Sequence, residues 1–249
     1  MTQISEPARA LVVGGSTGIG RAIAGAWAET GAEVIVASRS RPDDAALGWL
    51  QIDLSDPAGT RRALAEVVRQ GPLHAACYSA VHYGDKRAPL RDVAESEWLH
   101  QLEVNLNGLW RTVAAVSAAL REAAPGLFVG VSSEVVYNAG PGRPGYAATK
   151  SAAASLLDSL AQEESAEALR VVQVLPSGMV DTPGIRRRRP ADFDYGEYMR
   201  PACFAPLAAE LLRTRGTEQH GDHLVVQPDG SWRSVHAGLP ESQSREPAT

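Results

Sequence analysis

Residues 9–31, RALVVGGSTGIGRAIAGAWAETG, constrain this chain most. An apolar run over 9–14 enters a loop with glycines at 14, 18 and 20, and the helical stretch that follows stops at Gly31. Glycine permits positive φ and close backbone approach, and a helix N-terminus offers unpaired N–H groups. Such a loop can therefore receive a pyrophosphate. The spacing carries weight because a strand precedes it and a helix follows. Without a ligand, the same residues make a tight strand-to-helix turn.

The alternation continues along the chain. EVIVAS (33–38), WLQIDL (49–54), LHAACYSA (73–80), GLFVGVSS (126–133), LRVVQVLP (169–176) and DHLVVQP (222–228) read as strands. Residues 57–70, 95–123 and 145–163 read as helices, the first with Pro57 in its opening turn and Gly71 past its end. Continuous apolar runs imply strands buried on both faces, and alternation with helices implies a parallel sheet covered on both sides. The expectation is an α/β, Rossmann-like, doubly wound sheet of about seven strands. No repeat or linker cuts residues 1–249, so one domain is expected, ending in a loose polar tail over about 233–249.

Composition narrows the function. A formal net charge of -5 argues against a general nucleic-acid binder. The two cysteines, Cys77 and Cys203, form no CxxC, so neither a disulfide scaffold nor a zinc cluster is expected and a reducing cytoplasm fits. The start, MTQISEPAR, lacks the basic and apolar regions of a signal peptide. No apolar run approaches the roughly 18 residues of a membrane span.

The second strand runs into Ser38, Arg39, Ser40 and Arg41, where an acidic residue would favour a ribose 2′-OH. A guanidinium pairs well with a phosphate, so this end favours NADP(H) over NAD(H). Two loop arginines facing solvent are the plainer alternative. Asp53 either meets an adenine edge or caps the next turn. Tyr146 and Lys150 fall at i and i+4 on one helix face, near its start.

These residues together resemble the short-chain dehydrogenase/reductase family, single-domain and of the Asn-Ser-Tyr-Lys type, over roughly 9–230. Tyr146 and Lys150 match its YxxxK, and Asn105 in VNLNG matches its Asn. The family's Ser, thirteen residues before its Tyr, falls on Ser133. The glycine loop matches except that Val13 replaces a Thr. Two other segments depart: NNAG is replaced by Cys77-Tyr78-Ser79-Ala80, and PG by Pro176-Ser177-Gly178, ahead of Thr182.

The resemblance implies reversible hydride transfer between a nicotinamide and a carbonyl–alcohol pair. Tyr146 is then the acid/base, Lys150 lowers its pKa and bonds the nicotinamide ribose, and Ser133 bonds the substrate oxygen. Asn105 holds a relay water, and Thr182 meets the carboxamide. The implied cofactor contacts are Gly14, Ser16, Thr17, Gly18, Ile19, Gly20, Ser38, Arg39, Asp53, Leu54, Ser79, Ala80, Tyr146, Lys150, Pro176, Gly178, Val180 and Thr182. A dimer or tetramer, packed through helices near 97–120 and 145–163, is also implied.

The segment after Thr182 is where the family covers its substrate. The run Arg186 to Arg189 has two readings: a solvated, mutually screened loop, or a cradle for an anionic group. Tyr195, Tyr198, Met199 and Phe204 wall a pocket or pack the lid. His82, Tyr83, Tyr137 and Asn138 lie on loops flanking the site by analogy. His220 and His223 lack metal-ligand spacing and read as structural, and no metal is expected. The expected activity is NADP(H)-dependent interconversion of a ketone and a secondary alcohol on a small metabolite, as in a specialised biosynthetic pathway. A cofactor-retaining epimerase or dehydratase, or a non-catalytic nicotinamide-binding sensor or scaffold, are the alternatives.

Overall fold

The computed structural model describes residues 7–235. Five parallel strands build the centre of the sheet: β1 (Arg9–Val13), β2 (Glu33–Ser38), β4 (Ala75–Tyr78), β5 (Gly126–Val131) and β6 (Leu169–Pro176), after β3 (Gly48–Gln51) has been placed on the edge beside β2. β7 (His223–Val226) continues the sheet in parallel, and β8 (Trp232–Ser234) closes it antiparallel. The order is β3-β2-β1-β4-β5-β6-β7-β8. The fold is thus α/β and Rossmann-like, with eight strands rather than the seven expected. The order reverses between β1 and β4, the switch point at which such sheets open a crevice.

The apolar runs are buried on both faces because helices cover both. α1 (Gly18–Glu29) and α8 (Ala205–Thr214) share one core cluster, where fully buried Trp27 donates its Nε1–H to the Ala208 carbonyl at 2.9 Å. α2 (Pro57–Arg69), α4 (Gly108–Glu122) and α6 (Pro144–Glu163) cover the other face. Buried Arg9 donates to the Val67 and Gly71 carbonyls at the end of α2, where a cation suits the helix dipole.

The 95–123 stretch is not one regular helix. It divides into α3 (Glu95–Leu102), a π-helical turn (Glu103–Asn107) and α4. Short helices α5 (Val135–Asn138) and α7 (Pro183–Arg186) follow β5 and β6. The start of the expected loose tail corrects to β8. A Pro-Asp-Gly turn makes that hairpin: Gly230 takes φ +85°, and the Asp229 carboxylate accepts from the Ser231 N–H and hydroxyl. The rest of the expected tail lies outside the described residues.

Candidate active site

A cleft of about 530 Å³ lies at the carboxyl ends of the strands. Every residue expected at the cofactor or the reacting centre lines it, except Gly20 and Asn105. The glycine loop forms one wall. A Cβ on Gly14 (φ +82°) would come within 2.4 Å of the Ala80 nitrogen and 2.9 Å of its methyl, so the loop packs on the end of β4 only as glycine. A Cβ on Gly20 would meet the Gly14 carbonyl at 2.4 Å and the Ser79 Cβ at 2.9 Å. Gly20 therefore serves packing behind the loop. Thr17 caps α1 without a side-chain hydrogen bond, and the first turn carries no acid. Its N–H groups stay available to an anion, so the loop fits a dinucleotide pyrophosphate.

At the end of β2, Arg39 and the Ser16 and Ser40 hydroxyls line the cleft, the hydroxyls 3.5 Å apart. Arg41 instead stacks over Trp49, with its guanidinium carbon 5.8 Å from the ring centroid. Asp53 does cap its turn: its Oδ1 accepts from the Ser55 N–H at 2.9 Å and hydroxyl at 2.7 Å, which hold its carboxyl below the usual range.

The proton-handling residues meet deeper in. Tyr146 is 8% exposed, in the first turn of α6. Burial raises its phenol well above the ordinary tyrosine range. Tyr83 adds to the rise, the nearby Ser133 hydroxyl opposes it, Glu134 raises it and Arg143 lowers it. Lys150 lies in the same cleft. Its ammonium donates to the Val131 carbonyl at 2.7 Å, and burial pulls its pKa down to about 8. Arg143 is a cation that lowers the phenol here, and burial outweighs it.

Glu134 and Arg143 are the residues that the sequence reading passed over. The Ser133 hydroxyl donates to Glu134 Oε2 at 2.7 Å, and Arg143 Nη1 pairs with Glu134 Oε1 at 3.1 Å. Their positions, one after the Ser and three before the Tyr, were the available signal. Asn105 sits in the π-helical turn, 2% exposed. Its Oδ1 accepts from the His82 N–H at 2.7 Å, and its amide donates to the His82 carbonyl at 2.9 Å and the Thr149 hydroxyl at 3.0 Å. The side chain is spent on fastening the loop after β4 to α6. Asn105 and Lys150 share a second cavity of about 10 Å³.

The segment after Thr182 is closed at its base by a parallel bridge, Val180 to Met199. Met199 and Phe204 belong to the core, 4% and 1% exposed. Tyr195 and Tyr198 pack edge-on with Phe193, at centroid separations of 4.9–5.5 Å. These four residues pack the lid and the core rather than wall the cleft. The aromatic wall is Tyr83, tilted against Tyr146 at 5.1 Å. Arg87, Arg187, Arg188 and Arg189 also line the cleft, while Arg186 pairs with Asp181 at 2.6 Å. His82 Nε2 lies 2.9 Å from Glu97 Oε1. His220 Nδ1 accepts from the Val171 N–H, and buried His223 joins Gln173, Asp158 and exposed Tyr137 in a network that runs to the surface.

A doubly wound sheet, a glycine cradle and a Tyr beside a Ser in one cleft define a nicotinamide-dependent oxidoreductase. The comparisons give the family: residues 8–192 match the family model "short chain dehydrogenase", and the chain belongs to it. It is 28% identical over 245 residues to a 2-dehydro-3-deoxy-D-gluconate 5-dehydrogenase of Bacillus subtilis, covering 90% of this chain and 94% of that one. A putative NAD(P)-dependent gluconate 5-dehydrogenase from Beutenbergia cavernae, solved with NADP, superposes with a TM-score of 0.78 at 25% identity, covering 91% and 97% of the two chains. A 3-ketoacyl-(acyl-carrier-protein) reductase from Brucella melitensis, solved with NADH, gives 0.77 at 22% identity, covering 90% and 98%. The chain is an enzyme of the class that interconverts CH–OH and C=O on small molecules with a nicotinamide cofactor. No helix among the described residues is long and apolar enough to cross a membrane.

Proposed function

We propose that the protein interconverts a ketone and a secondary alcohol on a small metabolite with NADP(H), using Tyr146 as acid/base. The observation that carries this is that Tyr146, Ser133 and Lys150 line one cleft with the glycine loop. The nicotinamide, when bound, supplies the hydride; the chain supplies the proton and the positions. Tyr146 O–H donates to the substrate oxygen as negative charge grows there, and Ser133 Oγ–H turns from Glu134 to bond the same oxygen. Burial keeps Tyr146 protonated near neutral pH, which suits it to donate in the reductive direction. Lys150 bonds the ribose, and Thr182 meets the carboxamide. Asn105 holds the wall behind Lys150, beside a cavity the size of one water.

Arg39, with the Ser16 and Ser40 hydroxyls, receives the 2′-phosphate. The relatives solved with NADP and with NADH leave both cofactors open to the family, so the preference rests on these side chains. We place the enzyme in the cytoplasm as a homodimer or homotetramer.

Titration with NADPH and NADH, on wild type and Arg39→Ala, tests the cofactor. NADPH binding should weaken roughly 10- to 100-fold in the variant, the worth of one charged hydrogen bond, with NADH unchanged. Equal binding of both cofactors by wild type would remove the NADP assignment. Tyr146→Phe should abolish ketone reduction while retaining cofactor binding.

A further inference from the structure

The arginines that line the cleft are unevenly partnered. Arg143 has the Glu134 carboxylate within ion-pair distance, as Arg186, just outside the cleft, has Asp181. Among the described residues, Arg39, Arg87, Arg187, Arg188 and Arg189 line the cleft with no ion pair, although the chain carries a net charge of -5. Arg189 donates to the Tyr198 hydroxyl at 3.2 Å and lies over the Phe193 ring, 5.3 Å from its centroid. Arg188 is half-buried. Its guanidinium carbon lies 5.6 Å from the Tyr83 ring centroid, and its Nε is buried without a hydrogen-bond partner. Burial and the like charges of Arg189 and Arg87 both weaken its hold on its proton. A solvated loop would extend these side chains into water, as it does Arg186 with Asp181. Arg188 is instead held one aromatic ring from the reacting phenol, since Tyr83 rests on Tyr146.

A half-buried guanidinium among like charges is costly until an anion arrives. A planar fork lying against an aromatic face suits a carboxylate, which it can meet with two hydrogen bonds. We infer that the substrate is an oxo acid or hydroxy acid whose carboxylate pairs with Arg188, with Arg87 and Arg189 adding charge, while its carbonyl or carbinol carbon lies at Tyr146. This rests on the oxidoreductase reading above. The same chemistry has a second source, the diphosphate of the cofactor, and the test separates the two.

Oxo acids of increasing chain length, each beside its methyl ester, are assayed on the full chain with NADPH and with NADH. Binding of the same compounds to cofactor-loaded protein is followed by calorimetry, on wild type and Arg188→Gln. The best acid should exceed its ester in kcat/KM by roughly 10- to 100-fold, the range for a charged hydrogen bond. Arg188→Gln should erase that margin with the cofactor KM unmoved, and Arg188→Lys should restore part of it. If Arg188→Gln does not fold, exposed Arg87→Gln should reduce the margin in the same direction. Esters as good as acids, or a variant that raises only the cofactor KM, would assign Arg188 to the diphosphate and overturn the inference with the oxidoreductase reading intact. Acids that bind wild type but not Arg188→Gln, with no turnover of any carbonyl, would uphold the carboxylate site and overturn the oxidoreductase reading. Acids neither bound nor reduced, or recognition of an oxo phosphate ester alone, would overturn the carboxylate assignment.

Discussion

Burial favours the neutral form of both Lys150 and Tyr146. Tyr146 stays protonated, while Lys150 keeps its charge at neutral pH but holds it less firmly. Its folded pKa of about 8 lies below the 10.5 of an ordinary lysine, so the unfolded chain binds the extra proton between them. Stability from this group is lowest below about pH 8 and recovers as pH rises toward 10.5. Lys150→Met removes a cost on the order of 3 kcal/mol at neutral pH, offset by about 1–2 kcal/mol for the orphaned Val131 carbonyl. We expect a variant that is inactive yet melts at the same or a higher temperature. Glu134 gives a second residue-scale prediction. Its charge raises the Tyr146 pKa, so Glu134→Gln should move the pH dependence of alcohol oxidation toward lower pH. An unmoved profile would show that the carboxylate does not act on the phenol. The YxxxK pair was legible from spacing. That Lys150 turns to the Val131 carbonyl was not, because the direction of a flexible side chain is set by its tertiary neighbours.

Among the elements, the π-helical turn and β4 act as one device. The Tyr78 hydroxyl donates to the Val104 carbonyl in that turn at 2.5 Å, and a Cβ on Gly108 would lie 2.4 Å from the same hydroxyl. Tyr78, in the segment that replaces NNAG, thus makes a contact of its own. Tyr78→Phe should cost about 1–2 kcal/mol. Gly108→Ala should cost more in wild type than in the Tyr78→Phe background, and a double-mutant cycle by chemical denaturation reads the difference. Additivity would show that the two positions are uncoupled. Strands β1, β2 and β6 were legible because continuous apolar runs leave few other structures open. The division of 95–123 was not, since a π-helical turn keeps the same apolar composition as the helix around it. α8 begins at a Pro-containing first turn, and its apolar face is explained only by Trp27 and the β-sheet it meets.

At the scale of the whole molecule, the proposed assembly has a visible surface. Leu99 on α3 and Trp110 on α4 are 54% and 55% exposed, and α6 presents Ser151 and Ser155 outward. Apolar side chains of this size on an outer helix are a place for a second copy to pack. Trp110→Asp should lower the mass found by light scattering, and a wild-type monomer would end the assembly proposal. The fold class was readable from alternation alone, and the family from four residues in order. The substrate's chemistry was not, because a run of arginines reads the same whether its members face solvent, an aspartate or a cleft.

The bridge between Val180 and Met199 has a wider meaning. Met199 N–H donates to the Met179 carbonyl and Asp181 N–H to the Met199 carbonyl, so residues 181–198 leave and rejoin the body at one place. A stretch tethered in this way behaves as an interchangeable cassette. Past Thr182, its length and lettering can drift or be transplanted while the sheet beneath stays as it is, and a lineage can acquire a new metabolite by rewriting the sixteen residues 183–198 instead of a protein.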